Sequence, residues 1–221
     1  MRALLAAPDP LVWVTAGDSI AQGARWTDGQ RDYAQLLEER VRYELARTAD
    51  VFARTAVSGW RISDVYSAIG QLDRLAPDIV SIGVGVNDAT LGADGLGEFC
   101  RTYQAVLDRL HARGVLVILQ LPNTVQPSAE HTLRRSIPDY AESMREMGHR
   151  SGALVVDHFR TWSNAGKPAR ENWMADHLHP NGRGHLVLAR TLFQACGLWD
   201  ETSACCQLIA TEPLPPPPVR T

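Results

Sequence analysis

Residues 11–23 read LVWVTAGDSIAQG. Six largely apolar, partly β-branched residues run straight into Gly17-Asp18-Ser19. Such a run predicts a buried parallel strand that ends in a tight turn presenting one hydroxyl. At the carboxyl edge of an open α/β sheet, a turn of this kind is where ligands and nucleophiles sit. Ser19 is therefore the candidate nucleophile, and the rest of the chain is read for a base, an orienting acid and donors to a developing oxyanion.

Working outward, the polar segment 21–31 reads as a loop, and Asp32 can cap a helix with Tyr33, Leu36, Leu37, Val41 and Leu45 on one face. Strand character returns at 51–57 and stops at Ser58-Gly59. A helix follows with Ile62, Val65, Ile69 and Leu72 on one stripe, ending before Pro77. Residues 78–83, DIVSIG, form a third strand that runs into Gly85-Val86-Asn87-Asp88. Phe99, Tyr103, Val106, Leu107 and Leu110 recur at helical spacing until Gly114. The run 115–121, VLVILQL, is a fourth strand closed by Pro122. A polar loop over 123–136 precedes a helix with Pro138 in its first turn and Met144 and Met147 inward. Residues 154–157 form a fifth short strand. The segment 158–175 shows no period and reads as a long functional loop, and a last helix carries Leu186 to Leu192. Strands alternating with helices imply a parallel α/β sheet with helices on both faces, so the Gly-containing turns open on one edge.

With 221 residues, of which 45% are hydrophobic and 21% charged, the chain suits one α/β domain, placed at residues 1–200. From Glu201 periodicity fails, and EPLPPPP predicts an extended, poorly packed tail over 201–221. A formal charge of −3 gives no reason to expect nucleic acid as a partner. No run is long and apolar enough to span a bilayer. The N-terminus lacks the apolar core of a secretory signal, so a cytoplasmic location is expected. The four cysteines, Cys100, Cys196, Cys205 and Cys206, have neither a disulfide framework's pattern nor zinc spacing, and read as reduced thiols.

A hydroxyl attacks a carbonyl only when a base takes its proton, and the base needs an acid to fix its tautomer. Asp176 and His179 lie three apart just before the last helix, so one short turn can deliver both. Asp176 would hold Nδ1 while Nε2 faces Ser19, and Pro180 stiffens the loop. The oxyanion needs preset donors, each typically supplying ~3 kcal/mol. The Ser19 and Gly59 backbone N–H groups and the Asn87 amide, all at strand ends, fit that need.

Gly17-Asp18-Ser19, Gly59, Gly85-Val86-Asn87-Asp88 and Asp176-His177-Leu178-His179-Pro180 together resemble the four blocks of the SGNH (GDSL) hydrolase family, in order, over residues 11–196. The resemblance implies a three-layer flavodoxin-like fold with a five-stranded parallel sheet, and ester hydrolysis through an acyl-serine. It makes Ser19 the nucleophile, His179 the base, Asp176 its orienting acid, and Ser19, Gly59 and Asn87 the oxyanion donors. No cofactor is implied.

Each block alone has a plainer reading: a capped turn at Gly17-Asp18-Ser19, a turn glycine at Gly59, a loop-capping amide at Asn87, and a carboxylate bonding its own loop at Asp88. Asp176, His177 and His179 could also be metal ligands, but a catalytic zinc wants about three well-separated protein ligands and no matching His/Glu pair occurs elsewhere. Trp26, Trp60, Trp162 and Trp173 fall in segments near the blocks. Trp26, Trp60 and Trp173 are candidate substrate-stacking rings, with Arg61 a candidate contact to a polar or anionic alcohol part. The expected substrate is a small-molecule ester of an alcohol or carbohydrate, carrying a small acyl group such as acetyl. An acyltransferase using the same triad, and a binding module that has lost turnover, are the alternatives.

Overall fold

A computed structural model describes residues 1–23, 25–126 and 134–212. Five strands, β1 (Val12–Gly17), β2 (Val51–Arg54), β3 (Ile79–Gly83), β4 (Leu116–Gln120) and β5 (Leu154–Val156), form one sheet in the order β2-β1-β3-β4-β5. Every pairing is parallel. Gly17 lies beside Gly83 and Gly83 beside Gln120, so β1, β3 and β4 stop level and their following loops meet on one edge.

Side chains alternate across the strands and sort into two cores. Val14, Ala16, Val80, Ile82, Val117 and Leu119 face one layer. It contains α4 (Ile62–Ser67), α5 (Ile69–Leu75), α6 (Gly92–His111) and α7 (Ile137–Ser151). Trp13, Ile79, Ile118 and Val156 face the other layer. That layer is built from α3 (Tyr33–Glu39), α8 (His158–Asn164), α10 (Gly182–Cys196) and α11 (Ala204–Ala210). This is the three-layer α/β architecture expected from the alternation of strands and helices.

Three segments differ from the sequence expectation. Residues 158–175, expected as a loop, form α8 and α9 (Lys167–Asn172). Their inward residues His158, Trp162, Ala165 and Trp173 are all buried. Residues 204–210, expected in a poorly packed tail, form α11, capped by Ser203, whose Oγ accepts from Cys206 N at 3.0 Å. Cys205, Cys206 and Ile209 are buried beneath it, and Glu44 Oε1 accepts from Cys205 N at 2.9 Å. The packed chain thus runs at least to Glu212, and the proline-rich stretch from Pro213 lies outside the described residues. The third is α1 (Arg2–Ala6), a short helix that the sequence reading did not anticipate. Among the described residues no helix is long and apolar enough to cross a membrane.

Candidate active site

The turn after β1 demands glycine. Gly17 has φ 143°, and a Cβ there would lie 2.1 Å from the Gly83 carbonyl oxygen. That close approach lets Asp18 N donate to Gly83 O at 3.0 Å, fastening β1's end to β3. Asp18 then caps α2 (Ser19–Gln22), its Oδ1 accepting from Ile20 N at 2.9 Å. Ser19 therefore opens a helical turn with its backbone fixed on both sides. Burial pushes the Asp18 carboxyl up to about 7.

Ser19 Oγ lies 3.0 Å from His179 Nε2, and His179 Nδ1 lies 2.8 Å from Asp176 Oδ2. An ionised carboxylate only accepts, so Nδ1–H donates to Asp176 and the bare Nε2 accepts from the Ser19 hydroxyl. Asp176 Oδ1 also accepts from the Leu178 and His179 amides, both at 2.7 Å. Burial raises the Asp176 pKa, but the amides and imidazole of its own loop outweigh it and hold the carboxyl below the ordinary range. The loop closes through a bridge between Met174 and Pro180 and through Ala175 N donating to His179 O at 2.8 Å. Burial of the imidazole outweighs Asp176's pull and lowers the His179 pKa below its usual value.

The second and third blocks are tied crosswise. Gly59 has φ 85° with open space where a Cβ would stand, so conformation rather than crowding calls for glycine. Gln22 Oε1 at the end of α2 accepts from Ser58 N at 3.0 Å and Ser58 Oγ at 2.6 Å. Asn87 Nδ2 donates to Trp60 O at 3.1 Å. Arg61 Nε donates to Asn87 O at 3.2 Å, and Arg61 Nη2 to Thr90 Oγ1 at 3.0 Å. Asp88, expected to bond its own loop, has backbone hydrogen bonds there and also reaches across, its Oδ1 accepting from Ile62 N at 3.0 Å, and burial raises its carboxyl to about 6.

The structure brings Ser19, Asp176 and His179 into one hydrogen-bonded chain and ties Asn87 to the Gly59 loop. The aromatic candidates take three different places. Trp173 is fully buried, edge-on to Trp162, with Nε1 donating to Glu212 Oε1 at 2.8 Å, so it packs the core. Trp60 packs against the α4–α6 core, and the Arg61 guanidinium is taken up by the Asn87 loop. Trp26 stacks face to face on the His179 ring, with centroids 3.5 Å apart and planes at 7°.

A buried polar network under the site escaped the sequence reading. Gln120 Nε2 donates to Ser81 Oγ at 2.6 Å and to Tyr33 Oη at 3.2 Å, while His158 Nε2–H donates to Gln120 Oε1 at 2.8 Å. Burial lowers His158 to about 3. A cavity of 30 Å³ beside this network is flanked by Asp18 and Ile20, the neighbours of Ser19. A wider pocket of 330 Å³ lies between Thr124–Gln126 and α9. Gln126 N there donates to His177 O at 2.8 Å, joining that pocket to the Asp176–His179 loop. No group of three or more His, Cys, Asp or Glu side chains suited to a metal occurs among the described residues.

Comparison with known proteins gives the family and the fold. The profile of the GDSL-like lipase/acylhydrolase family matches residues 15–187. An acetylxylan esterase from Geobacillus stearothermophilus is 25% identical over 203 residues, covering 82% of this chain and 91% of the relative. Among solved structures, a GDSL-like lipase from Parabacteroides merdae superposes with a TM-score of 0.74 at 21% identity, covering 86% of this chain and 97% of the other. The acetyl xylan esterase AlAXEase superposes with a TM-score of 0.71 at 24% identity, covering 84% and 99%. Both structural likenesses speak to the fold.

Proposed function

The chain belongs to the GDSL-like lipase/acylhydrolase family and is an ester hydrolase, and we propose that it removes small acyl groups, acetyl foremost, from a carbohydrate or similar polyol through an acyl-serine. The observation that carries this reading is the unbroken chain from Ser19 Oγ through His179 to Asp176, at 3.0 and 2.8 Å. Ser19 Oγ bonds to the ester carbonyl carbon as its proton passes to His179 Nε2, and the carbonyl oxygen becomes an oxyanion. Ser19 N–H, Gly59 N–H and the Asn87 amide are its donors. Collapse breaks the ester C–O bond, the Nε2 proton leaves with the alcohol oxygen, and water repeats the sequence to free the acid and Ser19.

Two features support the substrate class. The 30 Å³ cavity flanked by Asp18 and Ile20 has room for a methyl-sized group or about one or two waters, which favours acetyl over long acyl chains. The 330 Å³ pocket, with Lys167, Arg170, Glu171 and Gln126 at its walls, suits a polar alcohol part of sugar size. The acetylxylan esterase relative points the same way. Hydrolysis of p-nitrophenyl acetate, butyrate and octanoate, and of acetylated xylooligosaccharide, by wild type and Ser19→Ala tests the reading. Acetate turnover that falls with chain length and vanishes in Ser19→Ala is expected. Turnover that survives Ser19→Ala, or that peaks at octanoate, overturns it.

A further inference from the structure

We propose that Trp26 is a positioning residue for His179: its indole covers one face of the imidazole, keeps water off it, and fixes the ring plane that aims Nε2 at Ser19 and Nδ1 at Asp176. The inference rests on the reading of His179 as the base. The two hydrogen bonds of His179 define its ring plane only by two points on the edge, at Nδ1 and Nε2. Rotation about the axis joining them is left to whatever packs on the faces. Trp26 packs one face at 3.5 Å between centroids and 7° between planes, close enough to exclude water from that side. It is delivered by the loop that leaves α2 at Gly23, with φ 79°, so the segment that begins with the nucleophile also covers the base. This contact also occupies an indole face that a sugar would otherwise use.

Several charged groups face His179. Asp176 lies on its own loop and favours the imidazolium, whereas neighbouring His177, and Arg134 ahead of α7, disfavour it. The Arg25 guanidinium lies over the Trp26 ring, 5.8 Å from its centroid. Two effects of Trp26 oppose each other. An aromatic face attracts a cation, while exclusion of water penalises one. Burial is the largest influence on this imidazole and acts to keep it neutral. Removing the indole should therefore make His179 easier to protonate.

The test is an NMR titration of the full-length chain labelled with 15N-histidine, with the His179 signals assigned by their loss in His179→Gln. Trp26→Ala is expected to raise the His179 midpoint by on the order of half to one pH unit. Trp26→Phe, which keeps a ring face, should stay near wild type. The acid limb of kcat/KM for p-nitrophenyl acetate should move with the midpoint, and kcat on the plateau should fall about 10-fold with KM changed less. Arg25→Ala is the charge control, and a full shift in that variant overturns the role given to the indole. So does an unmoved or lowered midpoint in Trp26→Ala. Should Trp26→Ala fail to fold, Trp26→Gln carries the same expectation. The ring titration needs no turnover, so the two readings fail separately. A raised midpoint in a chain that hydrolyses no ester supports this inference and overturns the ester reading, and an unmoved midpoint in an active chain does the reverse.

Discussion

Arg61 Nε donates to the main-chain carbonyl of Asn87 at 3.2 Å, while Asn87 Nδ2 donates back to the carbonyl of Trp60, the residue before Arg61, at 3.1 Å. The loops after β2 and β3 each supply a candidate oxyanion donor, and this crossed pair sets one against the other. Arg61→Ala should leave both donors in place but loosen their separation, and a misplacement of about 1 Å costs on the order of 100-fold. A fall in kcat of about 10- to 100-fold with little change in KM is expected. Asn87→Ala, which deletes a donor outright, should cost about 100-fold or more. Steady-state kinetics on p-nitrophenyl acetate checks both. A raised KM with unchanged kcat in Arg61→Ala would show that the guanidinium holds substrate instead.

Four buried groups with strongly shifted pKa values act on the pH dependence of stability near neutrality. Burial raises Asp18 to about 7 and Asp88 to about 6, so at pH 5 both are protonated when folded and ionised when unfolded. Their contribution is fully present below the ordinary carboxylate range and is lost as pH rises through 6 to 7. Burial lowers His158 to about 3 and His185 to about 4, so at pH 5 both are neutral when folded and protonated when unfolded. Their contribution is present above the ordinary histidine range and is lost as pH falls toward 4 and 3. Near pH 5 folding gains two protons on the acids and loses two from the histidines, and the slopes cancel. Asp88→Asn removes one of the two acids from that balance. Its stability should fall with falling pH between 6 and 4.5, by up to about 1.4 kcal/mol per pH unit. Urea unfolding at pH 4.5, 6 and 8 measures this, and a variant as flat as wild type would deny Asp88 its raised pKa.

The helix α11 belongs to the folded domain, so its removal should unfold the chain rather than trim it. Ile209 is fully buried, and Ile209→Ala should cost about 2–4 kcal/mol. Turnover well below the melting temperature should be unchanged, because α11 packs on α10 in the layer that also holds α3 and α8. Thermal unfolding and p-nitrophenyl acetate hydrolysis on the same sample check the pair of outcomes. A loss of turnover without a loss of stability would instead link α11 to the site.

These elements show what a sequence exposes. The strand and turn blocks were legible because each is short in sequence: six residues declare β1, and Asp176 and His179 sit within one turn. The helices α8 and α9 were hidden because their inward stripe runs through His158, Trp162, Ala165, Ala169 and Trp173 rather than aliphatic residues. The 4-3-4-4 spacing of that stripe is helical and could have revealed them. For α11 the signal was Ser203 as a cap before Cys205, Cys206 and Ile209, with cysteine acting as a small apolar residue. Whether Trp26 would meet a sugar or an imidazole was not readable at all. It depends on the path of a loop whose positive φ values at Gly23, Asp28 and Gly29 leave no periodic trace.

The acid limb of activity follows from the same environment. As a base, His179 must be neutral, so kcat/KM should rise with pH through the His179 pKa and then level off. Burial lowers that pKa, with His177 and Arg134 acting in the same sense and Asp176 opposing them. The midpoint should therefore lie below the ordinary histidine value of about 6.5. Asp176 is already ionised throughout this range, because the Leu178 and His179 amides hold its carboxyl low, so one titration and not two should shape the limb. Asp176→Asn removes the strongest influence that favours the imidazolium, so any remaining limb should move to still lower pH. The same change offers Nδ1 an amide in place of a carboxylate and releases the tautomer, and turnover should fall on the order of 100-fold or more. A pH–rate profile from 4.5 to 8.5 on an ester whose acylation limits the rate measures both effects. A limb centred above 7 in wild type, or an undiminished rate in Asp176→Asn, would remove His179 and Asp176 from the roles of base and orienting acid.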